Sequence, residues 1–422
     1  MNEQQTNMRS EIEKELKEHI IPFWLSMKDD EKGGYYGLLD YDLSLDKKAP
    51  KGCILNSRIL WFFSGAYLKL GDKELLKAAN HAYDFMMRYC MDGEKGGIYW
   101  SMTYDGKVLD DTKHTYNQAF AIYALSKYYL ASANRQALDK ALELFDLIEE
   151  KMRDEEGYLE AFNRDFTPSS NEKLSENGVI AERTMNTALH VLEAYTGLYE
   201  ALVKNDASDA DKECISEDMN NLQDKNLERV KKRLTDILIL VRRRIYNPLL
   251  KRQEVFFDKD YNTLIDLHSY GHDIESSWLI DRAVEDLGES AFPDGEYEKI
   301  RDMTLEMAEC VIDKAYNGQS FSNECEKGKV DDTCIWWVQA EAVVGFANAY
   351  RKTGEEKFLK AAENIWAFTK EYMIDKRQGS EWYWETRADG SPIRREIVEP
   401  WKCPYHNGRM CFEIMDMMRE RD

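Results

Sequence analysis

Gly96-Gly-Ile-Tyr-Trp100 is a turn-and-strand signature, two glycines followed by apolar and aromatic residues, flanked by segments whose apolar residues recur with helical period. The same build returns at Gly33-Gly-Tyr-Tyr-Gly37, Glu156-Gly-Tyr-Leu-Glu-Ala-Phe162, Arg252-Gln-Glu-Val-Phe-Phe257, Asn317-Gly-Gln-Ser-Phe321 and Gly379-Ser-Glu-Trp-Tyr-Trp384. Each of the six copies predicts a small hairpin or extended loop. Between them the chain carries twelve helical segments in pairs, over 11–27, 56–70, 73–90, 117–132, 135–153, 185–203, 227–245, 272–287, 296–315, 336–351, 355–373 and 406–420. Most copies stand near sixty residues apart, with two helices to a unit. Six such units predict a closed ring of helical hairpins, an all-α (α/α)6 barrel with short β-hairpins or loops at one mouth. An open tetratricopeptide-type solenoid would have a shorter period and no hairpins. The one long interval holds the polar, acidic stretch Lys204 to Asn226, expected to be an insertion in a single catalytic domain spanning 1–422.

Composition narrows the function. A net charge of −22 repels phosphate backbones and anionic bilayers, so neither nucleic acid nor a membrane is an expected partner. No apolar run is long enough to span a bilayer, and Met1 to His19 is polar and charged, which predicts a cytoplasmic protein. The eight cysteines include no C-x-x-C pair and read as reduced thiols. There is no H-E-x-x-H, G-x-G-x-x-G or P-loop string, so neither a metal nor a nucleotide cofactor is expected. Ten Trp and 24 Tyr suit a neutral, ring-shaped ligand such as a sugar, although most must belong to the core.

In a ring of helical hairpins alternate helices face the axis. The helix after each hairpin opens with polar or aromatic residues: Asn56 and Arg58; His114, Tyr116 and Asn117; Asn186 and His190; His272 and Glu275; Trp336 and Trp337; and His406. Four of the seven histidines fall in or beside these clusters, which places a candidate site at one mouth. His272 and Glu275 are three apart on a helix and share a face, so the carboxylate is expected to hold the imidazole's tautomer, although such a pair is also common on helix surfaces. Three function classes remain open on the residues alone. Histidines would serve proton transfer to and from a sugar carbon. Asp273, Glu275 and Glu341 would be the carboxylates of a glycoside hydrolase. The aromatics alone would serve a sugar-binding protein.

Six strings, in order, carry a resemblance: Asn56-Ser-Arg-Ile-Leu-Trp61, Lys113-His-Thr-Tyr-Asn117, Leu174-Ser-Glu-Asn-Gly178, His268-Ser-Tyr-Gly-His-Asp-Ile-Glu275, Trp336-Trp-Val-Gln-Ala-Glu341 and Trp401-Lys-Cys-Pro-Tyr-His406. Together they resemble the cellobiose 2-epimerases of the N-acylglucosamine 2-epimerase superfamily over nearly the whole chain. The resemblance implies reversible, cofactor-free epimerisation at C2 of the reducing-end glucose of β-1,4-linked disaccharides, cellobiose to glucosyl-mannose and lactose to epilactose. It implies His272 and His406 as the acid/base pair, His190 as a third essential imidazole and Arg58 as a ligand of the open-chain carbonyl oxygen. Tyr116, Asn186 and Glu275 would position the reducing sugar, and Trp401 with Trp336 or Trp337 would stack on it. Sibling activities in the superfamily are aldose–ketose isomerisation and N-acylglucosamine epimerisation. A small disaccharide is the expected partner, and the expected assembly is a monomer or weak homo-oligomer.

Overall fold

Each helical segment expected from the periodicity is present in the computed structural model, which describes residues 3–174, 177–207 and 217–419. Helices α1 (Glu3–Glu15) and α2 (Ile21–Ser26) join through a π turn, Leu16–Ile20, into one N-terminal rod. The pairs follow as α3 (Cys53–Leu70) with α4 (Lys73–Phe85), α5 (Thr115–Ser132) with α6 (Arg135–Lys151), and α7 (Met185–Ala207) with α8 (Glu217–Leu240). Then come α9 (Tyr270–Leu287) with α10 (Glu296–Lys314), α11 (Trp336–Thr353) with α12 (Glu356–Phe368), and finally α13 (Tyr405–Met417). Among the described residues, α3, α5, α7, α9, α11 and α13 pack each on the next, and α13 returns to α3. That closed circuit is the inner ring of an (α/α)6 barrel. The other helices lie outside it, and α1 is the outer partner of α13, so the first and last helices make one unit.

Burial explains why the two rings differ in sequence. The inner helices are enclosed on all sides near their starts: α3 is buried without a break from Cys53 to Ala66, and α5 from Thr115 to Ser126. Outer helices bury one stripe, as α4 does with Leu75, Ala78, Ala79 and Ala82, and leave the rest to solvent. Two departures from the expected spans have physical content. Three outer helices finish in a π turn, at Met86–Cys90, Val241–Ile245 and Thr369–Met373, where period 3.6 alone cannot foretell the widened last turn. The stretch Lys204 to Asn226, expected outside the helices, instead lengthens α7 to Ala207 and starts α8 at Glu217, while 208–216 lies outside the described residues.

All six turn signatures close as hairpins directly after an outer helix, pairing Lys28 with Tyr35, Met91 with Ile98, Arg153 with Tyr158, Tyr246–Asn247 with Arg252–Gln253, Tyr316 with Phe321 and Ile374 with Trp382. An Asx side chain opens each turn and accepts backbone N–H groups further along it. Examples are Asp29 from Glu31 and Lys32, Asp92 from Glu94 and Lys95, Asn317 from Gln319 and Ser320. From the inner ring an amide clamps the same hairpin. Gln118 takes the Ile98 N–H at 2.7 Å and gives its own N–H to the Ile98 carbonyl at 2.9 Å, and Gln339 does the same for Phe321 at 3.0 and 2.6 Å. A strand before each of α3, α5, α7, α9 and α11 pairs antiparallel with the following unit, for example Lys51–Gly52 with Ser101–Met102 and Lys113–His114 with Ala161–Phe162. A bridge from Leu39 to Val398 joins the last unit to the first. The result is a collar of short sheets at the end where the inner helices begin.

Candidate active site

The collar surrounds a cavity of about 320 Å³ at the N-terminal ends of the inner helices, a size that suits a small ligand. All ten residues to which the family resemblance gives a role line it: Arg58, Tyr116, Asn186, His190, His272, Glu275, Trp336, Trp337, Trp401 and His406. They stand in two tiers. Tyr116, Asn186, Trp337 and His406 are each the second residue of an inner helix, and His272 the third. Arg58, His190 and Glu275 are each a sixth residue, about one turn deeper, so they form the floor. The inner helices α3, α5, α9, α11 and α13 start without a side-chain cap. Their positive dipole ends converge on this mouth and favour negative charge there.

The imidazoles are held individually. His406 Nδ1 lies 2.8 Å from Glu341 Oε1. A carboxylate only accepts, so Nδ1 carries the proton and the Nε2 lone pair is left free. His190 is held the same way by Glu193, at 2.9 Å. His272 Nδ1 meets the Ser269 hydroxyl at 2.7 Å. The Trp337 indole ties the pair together, its ring 4.7 Å from that of His272 and 5.4 Å from that of His406. Gly271 makes room for it, because a Cβ there would come within 2.7 Å of the indole. Burial pushes the His272 imidazole down to about 3, with His190 adding to the effect. His406 is also held well below the usual range, first by burial and then by the charges of Arg409 and Arg58. Both are therefore neutral bases near pH 7.

Arg58 is buried at 3% exposure with neutral partners: Nη2 donates to the Tyr116 hydroxyl at 2.7 Å and Nη1 to the Trp401 carbonyl at 3.3 Å. Its guanidinium lies 4.2 Å from the Phe120 ring. No carboxylate forms an ion pair with it among the described residues, and its Nε has no partner. Buried guanidinium groups are ordinarily matched by an anion.

Below the floor, Arg409 is the cation that three carboxylates share. It contacts Glu193 and Tyr405 through Nη1, and Glu275 and Glu341 through Nη2. Burial raises Glu275 to about 7, and neighbouring Glu341 pushes the same way against the pull of Arg409. Burial opposes ionisation of Glu193 as well, but Arg409, His190 and Tyr405 outweigh it and hold that carboxyl down to about 2. Glu275, Glu341 and His406 offer ligand atoms within 4.8 Å of one another, the spacing of a metal site. Arg409 Nη2 already lies on both carboxylates, and Glu341 Oε1 is also the partner of His406.

Several expectations need correction. Glu275 does not hold the His272 tautomer: it bonds Arg409, and Ser269 holds His272. The His–Glu pair three apart that does form is His190, the expected third imidazole, with Glu193, which was not among the expected site residues. Asn56 and Asn117 serve backbone groups, Asn56 taking the Tyr35 N–H at 3.1 Å and Asn117 donating to the Tyr99 carbonyl at 2.7 Å. His114 is buried against Trp100, with ring centroids 4.5 Å apart. Asp273 accepts from His268 at 2.8 Å and from the Gln253 N–H at 3.0 Å, and it does not line the cavity. The hydrolase assignment thus loses one carboxylate to structure and two to Arg409. In the string Leu174 to Gly178, Ser175 and Glu176 lie outside the described residues, whereas Leu174 lines the cavity and Asn177 donates to Glu324 at 3.0 Å. Lys173, Glu324, Trp384 and Arg395 also line the cavity and come from the collar, whose residues carry no helical period to betray them.

A family model described as N-acylglucosamine 2-epimerase (GlcNAc 2-epimerase) matches residues 34–408. The chain is 50% identical over 409 residues to a cellobiose 2-epimerase of Eubacterium cellulosolvens, covering 97% of this chain and 98% of that one. It is also 50% identical over 409 residues, with the same coverage, to a cellobiose 2-epimerase of Ruminococcus albus. Among solved structures, the cellobiose 2-epimerase from Bacillus thermoamylovorans B4167 superposes with a TM-score of 0.88 at 47% identity, over 97% of this chain and 99% of that one.

Proposed function

The chain belongs to the N-acylglucosamine 2-epimerase family, and from that premise we propose that this carbohydrate epimerase inverts C2 of the reducing-end glucose of β-1,4-linked disaccharides, cellobiose and lactose among them. The observation that carries the reading is the buried guanidinium of Arg58, without a carboxylate partner among the described residues and in one cavity with the two neutral imidazoles His272 and His406.

Inversion at C2 of an aldose requires an open chain, removal of the proton alpha to the aldehyde and its return to the other face. As the proton leaves, negative charge moves from C2 onto the aldehyde oxygen and an enediolate forms. Arg58 is the group for that oxygen, and such preorganised charge is worth roughly 3–4 kcal/mol of barrier per donor. The inner helix starts add favourable potential around it. His406, whose Nδ1–H donates a hydrogen bond to Glu341, presents Nε2 as a base. His272, buffered by Ser269, serves the opposite face. His190, its Nδ1 fixed by Glu193, is the third imidazole, and ring opening needs such a proton carrier at the anomeric oxygen. Tyr116, Asn186 and Glu275 would position the reducing sugar, and the Trp401 and Trp337 faces would cover it.

The test is incubation with cellobiose in deuterium oxide, followed by separation of the products. A new disaccharide carrying deuterium at C2 is expected. Release of free glucose would make the protein a hydrolase, and recovery of unlabelled cellobiose alone would remove C2 chemistry on this substrate.

A further inference from the structure

Beneath the floor of the cavity, residues that do not line it, Glu193, Arg409, Glu341 and Tyr405, connect two imidazoles that do. Starting at His190 on α7, contacts run without a break through Glu193, Arg409, Glu341 and back to His406 on α13. Tyr405 braces the middle, donating to Glu193 and touching Arg409. Arg409 is 0% exposed and Glu341 0%, so bulk solvent does not reach these groups. We propose that Arg409 is a positioning residue that locks His190 and His406 in the same tautomer, protons on Nδ1 and lone pairs on Nε2, by keeping Glu193 and Glu341 ionised.

The argument is one of hydrogen-bond inventory. An ionised carboxylate can only accept, so each Nδ1 must donate to it. A protonated carboxyl can donate instead, and the imidazole would then accept on Nδ1 and carry its proton on Nε2, where a base needs a lone pair. Glu193, Glu275 and Glu341 are three carboxyl groups buried together, and burial with mutual repulsion favours their neutral forms. Among the described residues Arg409 is the one guanidinium in contact with all three, so removing it releases both imidazoles at once. The other charged or titratable groups around the pair are Arg58 from α3, Tyr116 from α5, and His272 and Glu275 from α9. Of these, Glu275 comes near a held nitrogen, its Oε1 3.9 Å from His406 Nδ1.

The role rests on the histidine-base reading above, but its test does not require the substrate to be known. In protein labelled with 15N at histidine, long-range nitrogen–proton spectra report the tautomer of each ring. Wild type is expected to show Nδ1–H at both His190 and His406 around pH 7, and Arg409→Met is expected to convert both to Nε2–H. Retention of Nδ1–H at both rings in folded Arg409→Met overturns the proposal. Should that variant not fold, Glu193→Gln decides. Its single amide oxygen faces Arg409, its NH2 then faces His190 Nδ1, and only His190 is expected to flip. An unchanged His190 tautomer in Glu193→Gln overturns the proposal equally. On cellobiose, a positioning role lowers kcat by roughly 10²-fold or more with little change in KM, the scale of lost acid/base transfer. A wild type with both tautomers as stated but no C2 exchange would refute the epimerase reading and leave the positioning role standing.

Discussion

At the scale of single residues, two of the cavity imidazoles, His272 and His406, carry the sharpest expectation. Replacing His272 or His406 with Asn keeps polarity and much of the volume but removes the titrating group. Each variant is expected to lose ~10²–10⁴-fold in kcat with a much smaller change in KM. Because both groups serve one cycle, the double variant is expected to be little worse than the worse single one. Steady-state kinetics on cellobiose check this, and two single variants with near-wild-type kcat would refute the pairing. His114 makes a different, thermodynamic expectation. Burial, with the Lys173 charge adding to it, lowers its imidazole to about 4, against ~6.5 in an unfolded chain. The native state therefore binds fewer protons, and the stability present above pH 6.5 is lost as the pH falls. At pH 5 the loss is about 2 kcal/mol. Urea unfolding at pH 7 and pH 5 is expected to show His114→Gln losing about 2 kcal/mol less than wild type over that interval. An equal loss in both proteins would show that His114 titrates normally. Single-residue chemistry was only partly legible in the sequence. Helical spacing made His272–Glu275 and His190–Glu193 look alike, although in the fold Arg409 touches both carboxylates, Glu193 keeps His190 on its other oxygen, and His272 turns to Ser269 instead.

At the scale of elements, each inner helix contributes to the site by where it begins, and the clamps on the hairpins set those starts. Gln339 gives both its amide groups to the buried backbone of Phe321, so Gln339→Ala strands one donor and one acceptor in the core. A cost of roughly 2–6 kcal/mol follows from about 1–3 for each orphaned group. Gln118→Ala, which strands Ile98 in the same way, is expected to cost a similar amount because the units repeat. Chemical denaturation of both variants measures this, and a loss below about 1 kcal/mol in either would show that water or another side chain replaces the clamp. Helices and hairpins were the most legible level, since period 3.6 and the Gly-aromatic turns are local signals. The clamps were not, because an amide at the fourth residue of a helix looks like any polar residue until the hairpin it holds is in place.

At the scale of the whole molecule, closure is what separates this architecture from a helical array, and we propose that the ring works as one domain. The N-terminal rod is the test of that proposal. Met8, Ile12, Leu16 and Ile20 of the rod are buried, Arg9 donates to the Met415 carbonyl, and Glu11 and Glu15 accept from the Trp366 and Trp382 indoles. The rod thus covers α13, the helix that carries His406 and Arg409, from the far end of the sequence. In an open solenoid, removing a terminal helix weakens only its nearest neighbour, because stability is a sum of local terms. In a closed ring it uncovers one wall of the active site and opens the seam between α13 and α3. Deleting residues 1–26 is therefore expected to abolish turnover and to lower the thermal midpoint of the whole protein in a single transition. A truncated protein that loses only the unfolding signal near α12 and α13, while Trp61 and Trp100 report an intact remainder, would mean that the units are stacked independently. The distinction reaches back to the chemistry, since the floor draws Arg58 from α3, His190 from α7 and Glu275 from α9, and Arg409 beneath it comes from α13. Those four meet only if every seam of the ring is shut, so a ring that opens at one seam cannot keep a partial site.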